Sequence, residues 1–414
     1  MAKAELGDAG LNCSNRDIAA RIAGLHVLFV LPDVGDAPCG GYKMVYEYAN
    51  RFTALGVHVE IAYLCTHRGR HKAARYHLPE WLRRLGAYLI SEHILRHTPS
   101  WFPLSPAVRQ TCIYDEEARL TDTDAIVATA INTAAFVSSQ PAPILAYFIQ
   151  GYENWGEVTD EEVNASYHLG MRNIVITHWL ERIVNSAAPE AGCTYVPNGI
   201  DFSVFYQTQP IAGRGHRVAM LYHHGPHKGS RYGIATLRML KARYPDLEAT
   251  LFGTPERPAD LPLWIRYVRS ASQEQLRAIY NAAAIYLYPT ITEGLGLTCV
   301  EAMACGAALA VSDYEAAHEF AEQGETALLS PVRDAEAMAE NVAHYLDDEA
   351  LRCRIAAQGM ARAHTFDWDA SVAKFLDVLT REEKETCSKT TVTVLPTTGG
   401  VNVNYSWSAL HMAA

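Results

Sequence analysis

The stretch EGLGLTCVEAMACG, residues 293–306, lies where an apolar strand pattern changes into a helical one. The preceding residues 284–290, AIYLYPT, predict a buried strand, and TCVEAMACG predicts a helix that begins near Thr298 and ends at Gly306. The Gly-Leu-Gly segment between them lets the backbone pass close to a ligand. Because the first turn of a helix offers unpaired N–H groups and a partial positive charge, we expect an anion at this point.

Two glutamates flank this expected anion site. Glu293 precedes the turn, and Glu301 lies about one helical turn inside the helix. Carboxylates accept hydrogen bonds from paired hydroxyl groups. A nucleoside diphosphate sugar carries sugar hydroxyls on one side of its phosphates and ribose hydroxyls on the other, so the spacing fits such a ligand. A helix with one acid before it and one surface glutamate would have the same sequence pattern without binding a ligand, and this alternative stays open at this point.

Apolar strand patterns alternate with helical patterns along the whole chain, which is typical of a parallel α/β protein. The change-over near residues 197–210 divides them into two successive units whose strand ends face a common cleft. The predicted strands are residues 25–32, 57–65, 125–129, 144–149, 173–177 and 194–199 in the first unit, and 217–224, 248–253, 265–270, 284–290 and 307–313 in the second.

Three regions follow from this pattern. Residues 1–205 are expected to form an N-terminal Rossmann-like domain on the acceptor side. Residues 206–385 are expected to form a C-terminal Rossmann-like domain that binds the nucleotide sugar, with its last helix packing back on the first domain. The Thr- and Val-rich tail 386–414 is expected to be flexible, with an added hairpin as the alternative.

Charge and cysteine content restrict the function classes. The 414-residue chain has 35 basic and 46 acidic residues, a formal charge of −11, which argues against general nucleic-acid binding. Its nine cysteines contain no CxxC pair, and its N-terminus lacks an apolar signal region. No apolar run approaches the ~20 residues of a membrane span. We therefore expect a cytoplasmic protein with reduced thiols.

Residues 293–306 resemble the E-G-F-G-L-x-x-x-E-A-M-A-x-G pattern of retaining glycosyltransferases of the GT-B fold, family four, with Leu295 in place of the phenylalanine. Four further stretches resemble the same family in the same order: GGYKMVYEYANRFTALGVHVEIA, YVPNGIDFSVF, SQEQLRAIYNAAAIYLYPTITEG and SDYEAAHEFAEQG with the residues after it. AYFIQGYENW is also similar to a stretch of bacterial rhamnosyl-type polysaccharide enzymes. The resemblance implies two Rossmann-like domains that face each other across a cleft.

The resemblance also implies roles for residues of the C-terminal unit. Glu301 would bind the ribose hydroxyls of the donor, and Glu293 its sugar hydroxyls. Lys228 of HHGPHKGS matches the lysine of an Arg–Lys pair that neutralises the diphosphate, and His223 takes the place of the arginine. In that role the useful form of His223 would be the imidazolium. The backbone that approaches the sugar and the phosphates would be that of Leu295, Gly296, Leu297 and the helix start at Thr298.

Residues of the N-terminal unit are further candidates for the cleft. Gly40 and Gly41 match a loop that approaches the donor phosphates and the acceptor, although a plain turn would also contain them. Gln150 and Glu153 follow a predicted strand, where they would touch the acceptor or the donor sugar, or serve only as polar loop residues. His178 begins a helix after another strand and could touch the cleft, with helix capping or packing as its alternative role.

A basic segment, residues 66–112, holds eight Lys or Arg against two acids, with Trp81, Trp101 and Phe102 interleaved. In an acidic protein such a segment could contact an anionic membrane surface at its inner face. The alternatives are a basic loop that covers the acceptor side of the cleft, or a solvated helix.

We therefore expect a glycosyltransferase that moves a hexosyl unit from a nucleotide sugar to a glycan, a lipid-linked glycan or a small molecule, with retention. No metal and no further cofactor are expected, because the helix and basic residues neutralise the diphosphate. Two other functions stay open: a sugar-nucleotide epimerase of related fold, and a non-catalytic protein that binds sugar nucleotides.

Overall fold

Two parallel sheets form the framework of the protein. The computed structural model describes residues 21–35, 37–65, 85–86, 88–89, 95, 99–115, 117–156 and 158–381. The tail 386–414 and most of the basic segment 66–112 lie outside these described residues, so the expectations for them stay predictions.

The first sheet has seven strands in the order β3-β2-β1-β4-β5-β6-β7, and the second has six in the order β10-β9-β8-β11-β12-β13. Every strand pairing is parallel. Both sheets thus begin at a central strand and grow outward on each side, the Rossmann arrangement. The strands are β1 His26–Leu31, β2 His58–Leu64, β3 Arg109–Ile113, β4 Ala125–Ala128, β5 Ile144–Ile149, β6 Arg172–Val175, β7 Thr194–Tyr195, β8 Arg217–Leu221, β9 Glu248–Gly253, β10 Ile265–Arg269, β11 Ile285–Tyr288, β12 Ala308–Ser312 and β13 Ala327–Ser330.

Helices connect the strands, as parallel pairing requires. Six of the ten described α-helices begin with a Ser, Thr or Asp side chain that accepts a backbone N–H of the first turn. The helices are α1 Gly40–Ala54, α2 Ile131–Ser138, α3 Asp160–Ser166, α4 His178–Ala187, α5 Ser230–Arg243, α6 Gln273–Ala282, α7 Leu297–Ala304, α8 Ala335–Asp347, α9 Glu349–Ala363 and α10 Trp368–Thr380.

The predicted strands match the central strands of both sheets. The prediction is wrong at the ends of some strands and omits two edge strands. β8 stops at Leu221 because the N–H of His223 donates to the Ser230 hydroxyl at 3.0 Å and not to the neighbouring strand. Strands β3 and β13 were absent from the predicted set. Both lie at the edges of their sheets. β3 is largely half-exposed and has a weak apolar pattern, whereas β13 is mostly buried but only four residues long, which is too short for a clear strand pattern.

The last described helix, α10, packs against the N-terminal domain. Its fully buried Phe375 contacts Tyr48, Phe52 and Phe148 with ring centroids 4.6, 5.7 and 5.2 Å away. Trp368, at the start of the helix, packs edge-on against Tyr48 at 5.1 Å. Aromatic clusters of this kind bury large apolar areas, so α10 joins the two ends of the described chain in one core.

We predict that Phe375→Ala lowers the free energy of unfolding by about 3–5 kcal/mol, because it leaves a cavity inside this aromatic cluster. Denaturant unfolding followed by fluorescence measures the change. Leu263→Ala is the control, since Leu263 is 97% exposed, and its effect should stay within about 0.5 kcal/mol. A similarly small effect of Phe375→Ala would contradict the docking of α10.

Candidate active site

A cleft of about 490 Å³ lies between the two domains, at the carboxyl ends of both sheets. One wall consists of the segments that follow β1, β4 and β5, and the other of those that follow β8 and β11 together with the start of α7. Each wall therefore contains the switch point of its sheet, where ligands of such folds bind. The predicted residues that line the cleft are Gly40, Gly41, Gln150, Glu153, His223, Lys228, Glu293, Leu295, Gly296, Leu297, Thr298 and Glu301.

Lys228 reaches the cleft from a short 3-10 turn, Pro226–Lys228. Gly229 follows this turn at φ 62°, and a side chain there would overlap the Pro289 carbonyl. The backbone N–H of Ile291 donates to the His227 carbonyl at 2.7 Å, which fastens the turn to the segment after β11. The chain after β8 is thus held directly beside the chain that carries Glu293.

Lys228 and Glu293 form a half-buried ion pair, and the Tyr288 hydroxyl donates to the same carboxylate at 3.1 Å. Burial by itself raises the pKa of Glu293, but the ammonium of Lys228 outweighs it and holds that pKa below the usual value. Glu293 is therefore an ionised acceptor, which is the form that can bind sugar hydroxyls.

Glu301 is only 3% exposed, and its partners come from both domains. Lys43 of α1 donates from Nζ to Oε1 at 2.7 Å, and Tyr280 of α6 donates from its hydroxyl to Oε2 at 3.2 Å. Each of the two glutamates thus has one lysine and one tyrosine partner. The partners of Glu293 lie within its own domain, whereas Lys43 crosses the cleft.

The start of α7 leaves its first N–H groups to a ligand. Gly296 precedes the helix at φ 101°, and no side chain caps it. Leu295 is buried, and its carbonyl accepts the Tyr314 hydroxyl at 2.7 Å. The Cys299 N–H donates to the Gly296 carbonyl at 2.9 Å, so the N–H groups of Leu297 and Thr298 are the donors at the helix start. An uncapped helix start that faces a cleft suits a phosphate group.

Gly40 and Gly41 are the first residues of α1 and not part of the turn before it. A Cβ added to Gly40 would lie 3.8 Å from the Leu297 side chain, so the starts of α1 and α7 face each other. The first turn of α1 likewise has no side-chain cap.

The surroundings of the two imidazoles near Lys228 favour the uncharged ring. Gly225 donates its backbone N–H to Nδ1 of His223 at 2.8 Å, which places the ring proton on Nε2 and favours the uncharged ring. This differs from the imidazolium expected on the resemblance, because the turn after His223 bends a backbone N–H onto the ring. Burial, reinforced by Lys228, lowers the pKa of His227 to about 4. His227 packs against Trp155 of the opposite wall, with centroids 5.0 Å apart.

Gln150 and Glu153 lie on the N-terminal wall. The Gln150 carbonyl touches Gly294 so closely that a Cβ at position 294 would overlap it, which brings the loops after β5 and β11 into direct contact. Glu153 accepts the N–H of Ile131 at 2.5 Å, at the start of α2. Burial nevertheless raises the pKa of Glu153 to about 7. This carboxyl group therefore changes its charge near neutral pH.

His178 lies outside the cleft lining, where the sequence suggested a cleft role. Its backbone N–H donates to Glu319 of the other domain at 2.5 Å, and its half-exposed ring packs on Tyr195 at 3.9 Å between centroids. Tyr195 donates to the same Glu319 carboxylate at 3.1 Å. The start of α4 is thus a separate contact between the domains.

Sequence reasoning missed Lys43, Tyr280, Tyr288, Trp155 and His227. Lys43 and Tyr280 lie within stretches that resembled the family, but no short pattern connects them with Glu301. A pairing across 258 positions becomes visible only when the two sheets are placed against each other. Tyr288 could have been predicted as a cleft residue, since it ends the strand that leads to Glu293.

Part of the basic segment is described. Phe102 is 5% exposed, and Phe102 and Trp101 pack on Tyr46 with centroids 5.5 and 5.7 Å away. Phe102 therefore belongs to the core and not to a membrane-facing surface. Trp81 lies outside the described residues, so membrane contact of the remaining segment stays a prediction.

The described residues contain neither a cluster of metal ligands nor a helix that could span a membrane. No group of three or more His, Cys, Asp or Glu side chains in the described ranges is placed to hold a metal ion. Within those ranges, every helix is too short or too polar to cross a membrane.

Comparison with solved structures identifies the fold class. Sucrose-phosphate synthase from Thermosynechococcus elongatus superposes with a TM-score of 0.65 at 16% identity, over 85% of this chain and 97% of that one. Anabaena HepE in complex with UDP and glucose superposes with a TM-score of 0.63 at 15% identity, over 86% and 99%. The fold is therefore GT-B, as the sequence predicts.

The comparison of sequences covers less of the chain. Residues 217–348 match the family described as Glycosyl transferases group 1. A phosphatidyl-myo-inositol mannosyltransferase of Mycolicibacterium smegmatis is 30% identical over 194 residues, 44% of this chain and 50% of that protein. The chain thus spans about half the length of this curated relative. The narrower similarity to rhamnosyl-type enzymes stays a prediction.

We predict that Glu153→Gln stabilises the protein increasingly as the pH rises from about 4.3 to about 7. Above pH ~4.3 the unfolded chain releases this proton, while the folded protein keeps it until about pH 7, so the wild type loses stability across this window. Glutamine can still accept the Ile131 N–H and does not titrate. Melting temperatures measured from pH 4 to 8 give the difference.

The exposed Glu190 provides the control for this measurement. Glu190→Gln should follow the wild type at every pH. A constant difference between Glu153→Gln and the wild type over the same range would contradict the raised pKa of Glu153.

Proposed function

We propose that the chain is a glycosyltransferase that moves a hexosyl unit from a nucleoside diphosphate sugar to a glycan, a lipid-linked glycan or a small molecule, with retention of configuration. The observation that carries the proposal is the placement of two glutamates, each paired with a lysine, around the uncapped start of α7, inside the segment that matches the group 1 glycosyltransferases. A cytoplasmic location and independence of metal ions belong to the same proposal.

The geometry suggests how the donor would bind. Its ribose hydroxyls donate to Glu301, its diphosphate meets the N–H groups of Leu297 and Thr298, and its sugar hydroxyls donate to Glu293. Lys228 lies beside Glu293 and turns its ammonium to the diphosphate. Opposite charges placed where negative charge develops lower the barrier to departure of the leaving group.

Transfer then needs few further groups. The bond between the anomeric carbon and the diphosphate oxygen breaks, and the acceptor oxygen forms the new bond on the same face of the sugar. The acceptor proton passes to an oxygen of the departing diphosphate, so that a nucleoside diphosphate and the glycoside are the products. The mannosyltransferase name of the relative and the UDP and glucose of HepE support a hexosyl donor and leave the base of this chain's donor open.

A thermal-shift series with UDP, GDP, dTDP and ADP tests the donor class, because a ligand that binds the folded state raises the melting temperature. Labelled hexosyl donors are then incubated without an acceptor. Slow release of free sugar is expected from a transferase. An epimerised nucleotide sugar, or binding with no turnover of any donor even when acceptors are added, would contradict the proposal.

The two glutamates should differ when each is changed to glutamine. Glu301→Gln should weaken binding of the free nucleoside diphosphate by about 1.5–3 kcal/mol, since it loses a charged acceptor for the ribose. Glu293→Gln should lower kcat more than nucleotide affinity, because its partner is the sugar. Calorimetric Kd values and steady-state rates separate the two. Equal loss of nucleotide affinity in both variants would assign Glu293 to the nucleotide.

A further inference from the structure

The donor site requires more positive charge than its own domain supplies. A nucleoside diphosphate sugar carries two phosphate charges, and the related pattern meets them with an arginine and a lysine. Here His223 stands in the arginine's place and keeps an uncharged ring through the Gly225 N–H. His227, next to Lys228, is uncharged as well. Lys228 therefore remains as the ammonium of this wall.

One other cation reaches the cleft among the residues that the structure describes. The Lys and Arg side chains of the described lining are Lys228 and Lys43. Lys43 lies in the first turn of α1, three positions after Gly40, whose backbone faces Leu297 at the start of α7. Its Nζ contacts Glu301 at 2.7 Å and lies 5.2 Å from the centre of the Phe205 ring. The ammonium is thus beside the expected ribose position, and the helix that carries it begins opposite the helix start that would bind phosphate.

We propose that Lys43 supplies the second positive charge of the donor site, from the opposite domain and in place of the missing arginine. The proposal rests on the proposed function, since it concerns the diphosphate of the same donor. The four-carbon stem of lysine lets the ammonium turn from Glu301 toward the phosphates while it stays within reach of both. Because Lys43 belongs to the N-terminal wall, the charge at the leaving group is complete only when the two domains are closed over the donor.

A second role for Lys43 would explain the same contact. Lys43 could act only on Glu301, by keeping this buried carboxylate ionised and oriented toward the ribose. The two roles differ in the part of the ligand that they affect. A charge for the diphosphate changes binding of a nucleoside diphosphate and not of the nucleoside, whereas a role through Glu301 changes both alike, since both contain the ribose.

The test uses the full chain, with Lys43→Met, the charge-preserving Lys43→Arg, and Lys43→Met in a Glu301→Gln background. Kd values are measured for UDP, GDP, dTDP and ADP and for their nucleosides. We expect Lys43→Met to weaken diphosphate binding roughly tenfold or more, with less than a twofold change for the nucleoside, and Lys43→Arg to stay near the wild type. In the Glu301→Gln background, Lys43→Met should cause a similar further loss, because the charge acts independently of its partner. This background also avoids an unpaired buried carboxylate if the single variant folds poorly.

Adding His223→Arg to Lys43→Met restores a cation at the position where the related pattern has one. Diphosphate affinity should then recover at least in part, with no gain for the nucleoside. Equal losses for nucleoside and diphosphate, no loss in either background, or no recovery with His223→Arg would each overturn the proposal for Lys43. Wild-type protein that binds none of the four diphosphates would overturn the proposed function itself, which is a distinguishable result.

Discussion

Glu293 and Glu301 lie in one turn–helix unit at the carboxyl end of a parallel sheet, and both are largely withdrawn from water. A buried carboxylate is strongly unfavourable unless a cation or several donors compensate its charge. Lys228 does so for Glu293 through the segment after the neighbouring central strand, and Lys43 does so for Glu301 from the other domain. The placement of the two walls and the ionisation of the site therefore depend on each other.

Several contacts hold those walls together. The Gln150 carbonyl lies against Gly294, Trp155 packs on His227, and Glu319 accepts the backbone N–H at the start of α4. Behind the cleft, α10 returns to the N-terminal domain and fills its aromatic core. These contacts are short-range and specific in shape, so a small residue at position 294 is a requirement of the closed arrangement and not only of the local turn.

The electrostatics of the cleft differ from a simple basic pocket. Two ammonium groups face two carboxylates, the surroundings of His223 and His227 favour uncharged rings, and burial raises the pKa of Glu153 on the N-terminal wall to about 7. A ligand with hydroxyls at both ends and phosphate in the middle can take over the partners of both glutamates without leaving a buried charge uncompensated. The Lys228–Glu293 and Lys43–Glu301 pairs therefore stabilise the cleft, and a bound ligand can replace each lysine as the partner of its glutamate.

Much of this protein follows from local patterns. The central strands, the α7 helix and the placement of Glu293 and Lys228 after their strands could be predicted, because apolar periodicity and turn chemistry act within a few residues. The edge strand β3 was not predicted because partial exposure weakens its apolar pattern, and the buried β13 was not predicted because its four residues are too short a run. For His178 the sequence left a cleft contact and a capping or packing role open, because the direction in which a helix start faces depends on the element packed against it, here the segment around Glu319.

The sequence by itself determined the class of fold and the presence of two glutamates around a helix start. The tertiary structure decided the partners of those glutamates and the charge of His223. Lys43 and Glu301 meet across 258 positions because two separately folded sheets face each other, and no local pattern encodes such a contact. The proton of His223 depends on where one backbone N–H points, and that direction is set by the folded turn rather than by the identity of the residue.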